Sequence, residues 1–358
     1  MMDGTTPALF GLNTKNSNKD LSEEAAWGKN QFPNTFPVAL ACYMYDKGIE
    51  PVYIELNDDM STSQKKISFK DVFGLEPLSD GLFFEFESYY TPYNRMVSDT
   101  LSRIDLVTQD RSSFPHKCIR PIEIKLTALP DNTTVNLPEE QYGSEIVVRP
   151  DTIVYLALSI ATVYKDDKEE LGSYLAHIFE REDIDWTNKN EVGSHIRDIK
   201  NSIDNILNER LENQTPYLMQ PIWKTDGKKL HLKNNCLDII MWSDYAFTRL
   251  FMDTTLSSTT INRRMRTIFW LARMLYNYSI NGLINFREII DTFTYDTKND
   301  KAFAVSGTIT NSYTVCEETI RPRITKDEIK NIILGGGDRL LSPERRLDVV
   351  ISTDPSLF

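Results

Sequence analysis

The chain has 358 residues and a mass of 41.3 kDa, enough for one large domain or two ordinary ones, and its 41 % hydrophobic residues supply a sizeable core. Lys plus Arg number 40 and Asp plus Glu 52, so the formal charge is −12, a sign that at face value weighs against a polyanionic partner. A mean hydropathy of −0.37, no apolar run of transmembrane length and no basic-then-apolar leader after Met1 predict a cytoplasmic protein with neither membrane span nor secretory signal.

In chain order, the first 35 residues are polar and Asn-rich, and the apolar segment Phe36 to Tyr45, delimited by Pro33 and Pro37, predicts a helix. Pro51 to Leu56 reads as a strand, Asn57-Asp58-Asp59 as a turn and Lys66 to Phe69 as the returning strand. Leu82 to Val97 is rich in Phe and Tyr, carries Glu85 and Glu87, and reads as helical despite Pro92. Arg103 to Val107 and Pro121 to Leu126, joined by a polar connection, predict two antiparallel strands. Glu145 to Val148 is β-branched and leads through Arg149-Pro150 into an apolar helix over Thr152 to Tyr164, with Asp151 as its expected cap.

Residues 165–212 hold 13 acids against 7 bases in a polar stretch with helical spacing, half of the whole charge deficit. Pro216 to Trp223, Lys229 to Leu232 and Leu237 to Trp242 are strand-like, and Lys301 to Val315 alternates weakly. Thr259 to Tyr278 carries Arg263, Arg264, Arg266 and Arg273 with no acid, interleaved with Phe269, Trp270, Leu271 and Met274, the pattern of a basic amphipathic helix. The order of elements is mixed α and β without internal repeat. The expected organisation is one domain over 1–358: a catalytic core at 36–164, an acidic helical segment at 165–215, and a recognition and dimerisation part at 216–358.

Cys42, Cys118, Cys236 and Cys316 lie far apart with no C-x-x-C pair, so buried free thiols are expected. His116, His177, His195 and His231 are equally scattered and do not suggest a metal site. Asn132-Thr133-Thr134 fits a glycosylation sequon, which needs a secretory route.

An acid, any residue, then Lys occurs six times, so the tripeptide alone proves nothing. Side chains two apart share a face on a strand and diverge on a helix. Glu328-Ile-Lys330 follows a Thr325 capping box, Asp198-Ile-Lys200 lies in a helical stretch, and Asp226-Gly-Lys228 reads as a hairpin turn. Only Glu123-Ile124-Lys125 lies in strict alternation, with Ile122, Ile124 and Leu126 on one face and the two charges on the other. A hairpin brings Asp105, between Ile104 and Leu106, beside Glu123. Two carboxylates with a lysine suit phosphodiester hydrolysis: Asp105 and Glu123 as oxygen ligands of Mg²⁺, the Ile124 carbonyl completing the coordination, and Lys125 serving the attacking water and offsetting developing charge. A surface strand with a Glu/Lys pair is the competing reading of the spacing.

Longer blocks carry more information. Trp27 to Phe32, Ala41-Cys42-Tyr43-Met44, Ile122 to Thr134, Glu145 to Pro150, Gln220 to Lys224, Asn331 to Gly337 and Leu341 to Arg346 together resemble the type II restriction endonucleases typified by HindVP and HgiDI. The resemblance implies a PD-(D/E)xK restriction-endonuclease-like fold, a central mixed sheet flanked by helices. It implies a Mg²⁺-dependent homodimer that cuts double-stranded DNA at the palindrome GRCGYC, leaving 5′-phosphate ends, beside a separate DNA methyltransferase. Asp105, Glu123 and Lys125 match the family's metal and catalytic positions, although Ile104 stands where a proline is common. Glu87, ahead of the first catalytic strand, is either a further metal-site carboxylate or a solvated residue on an aromatic helix. A structure-specific repair nuclease and a catalytically silent DNA-binding protein remain as alternatives.

For DNA contacts, Arg263, Arg264 and Arg266 suit phosphates or guanine edges, or else a solvated helix face, and Arg345 and Arg346 have the same two readings. Asn132 and Thr133 could touch the backbone near the scissile phosphate or cap the next element. Asn30 and Gln31 suit adenine or an ordinary turn.

Overall fold

The computed structural model describes residues 31–77, 79, 81–125, 127–129, 145–225, 232–255, 260–297, 301–306, 313 and 324–329. The strands are β1 (Val52–Leu56), β2 (Thr62–Lys66), β3 (Leu82–Ser88), β4 (Ile104–Asp110), β5 (Lys117–Ile124), β6 (Thr127–Leu129), β7 (Glu145–Val148), β8 (Pro216–Thr225), β9 (Leu232–Ser243), β10 (Phe303–Ser306) and β11 (Ile324–Thr325), apolar residues alternating in β1 and β4 while β2 is polar throughout. Among the described residues nine of them make one mixed sheet of order β2-β1-β9-β8-β5-β4-β3, with β11 beside β9 and β6 beside β8. The β5–β8, β6–β8 and β1–β9 pairs are parallel and the other pairs antiparallel. β7 and β10 form a separate antiparallel pair.

The helices are α1 (Gln31–Asp46), α2 (Phe69–Phe73), α3 (Pro150–Val163), α4 (Lys168–Phe179), α5 (Lys189–Glu209), α6 (Asp244–Asp253), α7 (Arg263–Asn281) and α8 (Phe286–Thr292). Strand periodicity sends Val107, Leu218, Ile240 and Trp242 into a core shared with α3, α6 and α7, and Leu106, Ile122, Ile124, Met219 and Met241 into one shared with α1 and α2. Both faces of the sheet are therefore covered. This is the mixed sheet flanked by helices that the resemblance implies, a restriction-endonuclease-like fold.

Three local expectations change. Leu82 to Val97 is not a helix: Leu82–Ser88 is β3, and Pro92 sits in the first turn of a 3₁₀ segment over Thr91–Met96. Alternation over Leu82, Phe84 and Phe86 places these residues against the second core, which outweighs aromatic helical spacing. The strand returning from β1 is Thr62–Lys66, and Phe69 begins α2, because Ser68 accepts from Asp71 N as an N-cap and Gly74, at φ 86°, closes the helix. At α3 the N-cap residue is Arg149, with Pro150 behind it, and Asp151 lies in the first turn, where its charge suits the helix dipole.

The acidic stretch forms α4 and α5. Val192, Ile196, Ile199, Ile203 and Ile206 make a buried stripe on α5, so its acids occupy the remaining faces. Arg210 pairs with Glu170 at 2.5 Å and Arg249 with Asp204 at 2.9 Å. Thr325 and Glu328 form the expected capping box, Thr325 N donating to Glu328 Oε2 at 2.8 Å. Among the described residues no helix is long and apolar enough to cross a membrane. Cys42 and Cys118 are half-buried and Cys236 is buried, none of them in a disulfide; Cys316 lies outside the described residues.

Candidate active site

Three adjacent strands assemble the site. β4 and β5 pair with Leu106 opposite Ile122, so one step along the ladder Asp105 comes opposite Glu123. β3 and β4 pair with Phe86 opposite Leu106 and Ser88 opposite Ile104, which sets Glu87 beside Asp105. Glu87 holds φ 52°, a left-handed conformation that a residue with a Cβ seldom adopts. The three carboxylates thus occupy one lateral row across β3, β4 and β5. Among the described residues no three His, Cys, Asp or Glu side chains converge as a ready metal cage.

The face that carries this row is not the open surface expected for a half-buried strand. Glu123 is 9 % exposed beneath the first turn of α3, and it sits beside Leu218 of β8 in the parallel register. Asp105 Oδ2 accepts from Ile124 N at 2.8 Å, a cross-strand bond that holds the carboxylate against the end of β5. Lys125 follows that end; its backbone N donates to Met219 O at 2.9 Å, and its Nζ pairs with Glu123 Oε1.

Burial, then the neighbouring Glu123 charge and a lesser contribution from Glu87, raises the Asp105 carboxyl to about 7, against the opposing effects of Lys125 and the Ile124 amide. Burial works against the Lys125 ammonium, but Glu123, Asp105 and the hydrogen bond to Glu123 outweigh it and hold the amine above its usual range, with Arg149 opposing them. The result is a cluster, with Glu123 buried and Asp105, Glu87 and Lys125 half-buried, in which one lysine only partly offsets the carboxylates. Hard oxygen donors with excess negative charge are what a divalent cation such as Mg²⁺ fits, and few protein ligands suffice because that ion keeps much of its water.

Two supporting residues escaped the reading of the sequence. Thr152, 2 % exposed in the first turn of α3, donates to Glu123 Oε1 at 3.1 Å. The buried Tyr217 hydroxyl of β8 donates to the Thr152 carbonyl oxygen, fixing that turn over the sheet. A hydroxyl three positions into a helix is also ordinary capping chemistry, so the only sequence signal was its place after Arg149-Pro150.

The expected DNA-contacting arginines separate. Arg266 is fully buried: its guanidinium stacks on Trp270 at 4.4 Å and donates to the carbonyls of Thr294, Thr297 and Lys301, so it holds the chain before β10 and is not presented to DNA. The alternation of α7 left this open, because an arginine can satisfy its donors with backbone carbonyls inside a core. Arg264 is half-buried and donates to Thr254 O at 2.8 Å and Ala304 O at 3.4 Å. Arg263 is exposed. Gln31 begins α1, but its side chain lies outside what is described, as do Asn30, Asn132, Thr133, Arg345 and Arg346.

Comparison with known proteins adds an independent line. The model of the HindVP restriction endonuclease family matches residues 27–358. The type II restriction enzyme HgiDI of Herpetosiphon aurantiacus is 43 % identical over 354 residues, covering 98 % of this chain and 97 % of its own. The probable type II restriction enzyme HindVP of Haemophilus influenzae is 42 % identical over 355 residues, 98 % of this chain and 95 % of its own. No solved structure matches the chain.

Proposed function

Because the chain belongs to the HindVP restriction endonuclease family, we propose that it is a type II site-specific deoxyribonuclease of PD-(D/E)xK type, hydrolysing phosphodiester bonds of double-stranded DNA with Mg²⁺. The observation that carries this reading is the convergence of Asp105, Glu123 and Lys125 in one cluster of interacting charges around the buried Glu123. Asp105 and Glu123 are the proposed metal ligands, with the Ile124 carbonyl completing the set and Glu87 as a further carboxylate beside Asp105. When bound, the divalent ion supplies Lewis-acid stabilisation of the negative charge that develops on the phosphate.

The residues of the chain do the positioning. Lys125, held protonated, orients the attacking water by hydrogen bonding and offsets charge on the pentavalent phosphorus; its environment does not favour action as a base. Thr152 and Lys125 both hold Glu123 Oε1, leaving Oε2 as the oxygen for a ligand. In-line attack of water forms one P–O bond and breaks the P–O3′ bond, leaving a 5′-phosphate and a 3′-hydroxyl.

The target we propose is GRCGYC, cut by a homodimer whose two-fold axis matches that of the palindrome, with the part after Pro216 serving recognition and dimerisation and a separate methyltransferase protecting host DNA. Arg263, Asn30, Gln31, Asn132, Thr133, Arg345 and Arg346 are its candidate DNA contacts. The test is digestion of unmethylated plasmid with Mg²⁺, with sequencing of the fragment ends. Discrete fragments ending at GRCGYC are expected, with Lys125→Ala at least about a hundredfold slower. Equal cleavage by the variant removes the site assignment. No cleavage by the wild-type chain removes the function, and fragments without fixed ends favour a repair nuclease.

A further inference from the structure

Beyond the carboxylate row, on the same face of the sheet, lies a second row of different chemistry. The register that sets Ser88 opposite Ile104 and Leu106 opposite Ile122 continues to Tyr89 beside Arg103, and to Arg103 beside Lys125, just past the ends of β3, β4 and β5. The Arg103 guanidinium lies over the Tyr89 ring, 5.5 Å from its centroid, as expected for neighbours on one face. At about 3.3 Å per residue the two rows are about 7 Å apart. Arg149, at the N-cap of α3 three residues before Thr152, stands close enough for its charge to act on Lys125.

Both arginines and Tyr89 are exposed. Neither Arg103 nor Arg149 pairs with a carboxylate among the described residues, so both guanidiniums keep donors open to an anion, and what sets them apart from other such arginines is their place beside Lys125. A guanidinium stacked on a ring keeps its N–H edge directed outward and pre-oriented, and its fork matches phosphate oxygens two at a time.

We propose that Arg103, stacked on Tyr89, and Arg149 form a two-armed clamp for backbone phosphates adjacent to the one held at Asp105, Glu123 and Lys125. The clamp rests on the DNA-cleavage reading above and adds to it the residues that seat the strand. Because phosphates carry no sequence information, the clamp governs affinity and register and leaves base discrimination to other residues.

The test uses the full-length protein in EDTA, which prevents turnover, and two labelled duplexes: one spanning a mapped wild-type cut and one of scrambled sequence. Anisotropy titrations across a range of KCl concentrations give the salt dependence of binding. Arg103→Gln and Arg149→Gln should each reduce the magnitude of the log–log salt slope by about 1 and weaken both duplexes alike. Tyr89→Ala should weaken binding and Tyr89→Phe restore it. Wild-type salt slopes in both arginine variants overturn the clamp, and so does a loss confined to the cut-site duplex, which marks a base contact. Thermal melts matched to wild type exclude misfolding of these surface variants. If the wild-type chain cuts DNA and the slopes stay unchanged, the clamp alone falls; if it cuts no DNA, the nuclease reading falls and the clamp with it.

Discussion

Asp105 shows what burial does to a carboxyl of the candidate site. Its ordinary value is 3.8, and its carboxyl in the folded chain is raised to about 7. Between about pH 4 and pH 7 the metal-free folded state therefore holds a proton that the unfolded chain has released, and the stability owed to this group falls as pH rises through that window. A divalent ligand needs the ionised form, so it competes with that proton. The rise in Tm caused by millimolar Mg²⁺ should accordingly be larger at about pH 8 than at about pH 6. Asp105→Asn should abolish most of that rise at both values. Equal Mg²⁺-induced shifts at the two pH values in the wild-type chain would show that Asp105 is not a ligand. Asp105, Glu123 and Lys125 were legible as candidates because only one of six acid-x-Lys tripeptides lay in strict strand alternation. Their shared burial was not, since it depends on Thr152 and Tyr217, which come from elements far along the chain.

The helices divide by how their polar residues are satisfied. The α5 stripe was readable from spacing, and the helix lies where such a stripe belongs. In α7 the same kind of pattern misled, because Arg266 occupies the buried face with its guanidinium among three backbone carbonyls. Those carbonyls lie between α8 and β10, so Arg266 ties α7 to the strand that pairs with β7, and β7 leads into Arg149 and α3. Arg266→Met should lose these bonds and leave the carbonyls unsatisfied, destabilising the protein by roughly 3 kcal/mol in urea unfolding. Unchanged stability would mean that the carbonyls find other donors. The Leu82–Ser88 strand failed in the opposite direction: clustered aromatics suggested a helix, and pairing along the full length of β4 made it an edge strand that sets Glu87 beside Asp105.

The whole molecule reconciles a charge of −12 with a polyanionic substrate by segregation. Half of the deficit lies in residues 165–212, mostly in the segments that flank and join α4 and α5, and both helices pack against α7, while the exposed Arg103 and Arg149 stand beside the carboxylate row. The proposed two-fold symmetric target also implies an assembly: sedimentation equilibrium should give twice 41.3 kDa, and a monomer throughout the range in which DNA is cut would count against paired cutting of the two strands.

Composition, periodicity and the long family-like blocks together were enough to establish a mixed α/β chain and its kinship, and to nominate the residues of its candidate site. These are properties of residue type at short spacing, and they survive without knowledge of partners. Sheet order, the insertion of β8 and β9 between β1 and β5, the burial of Glu123 beneath α3 and the opposite fates of Arg103 and Arg266 were settled by folding. The physical reason is that register and burial are relations between residues distant along the chain. A local pattern shows that a side chain is charged or apolar, but only packing decides whether a guanidinium meets a carbonyl in the core or is left at the rim for a phosphate.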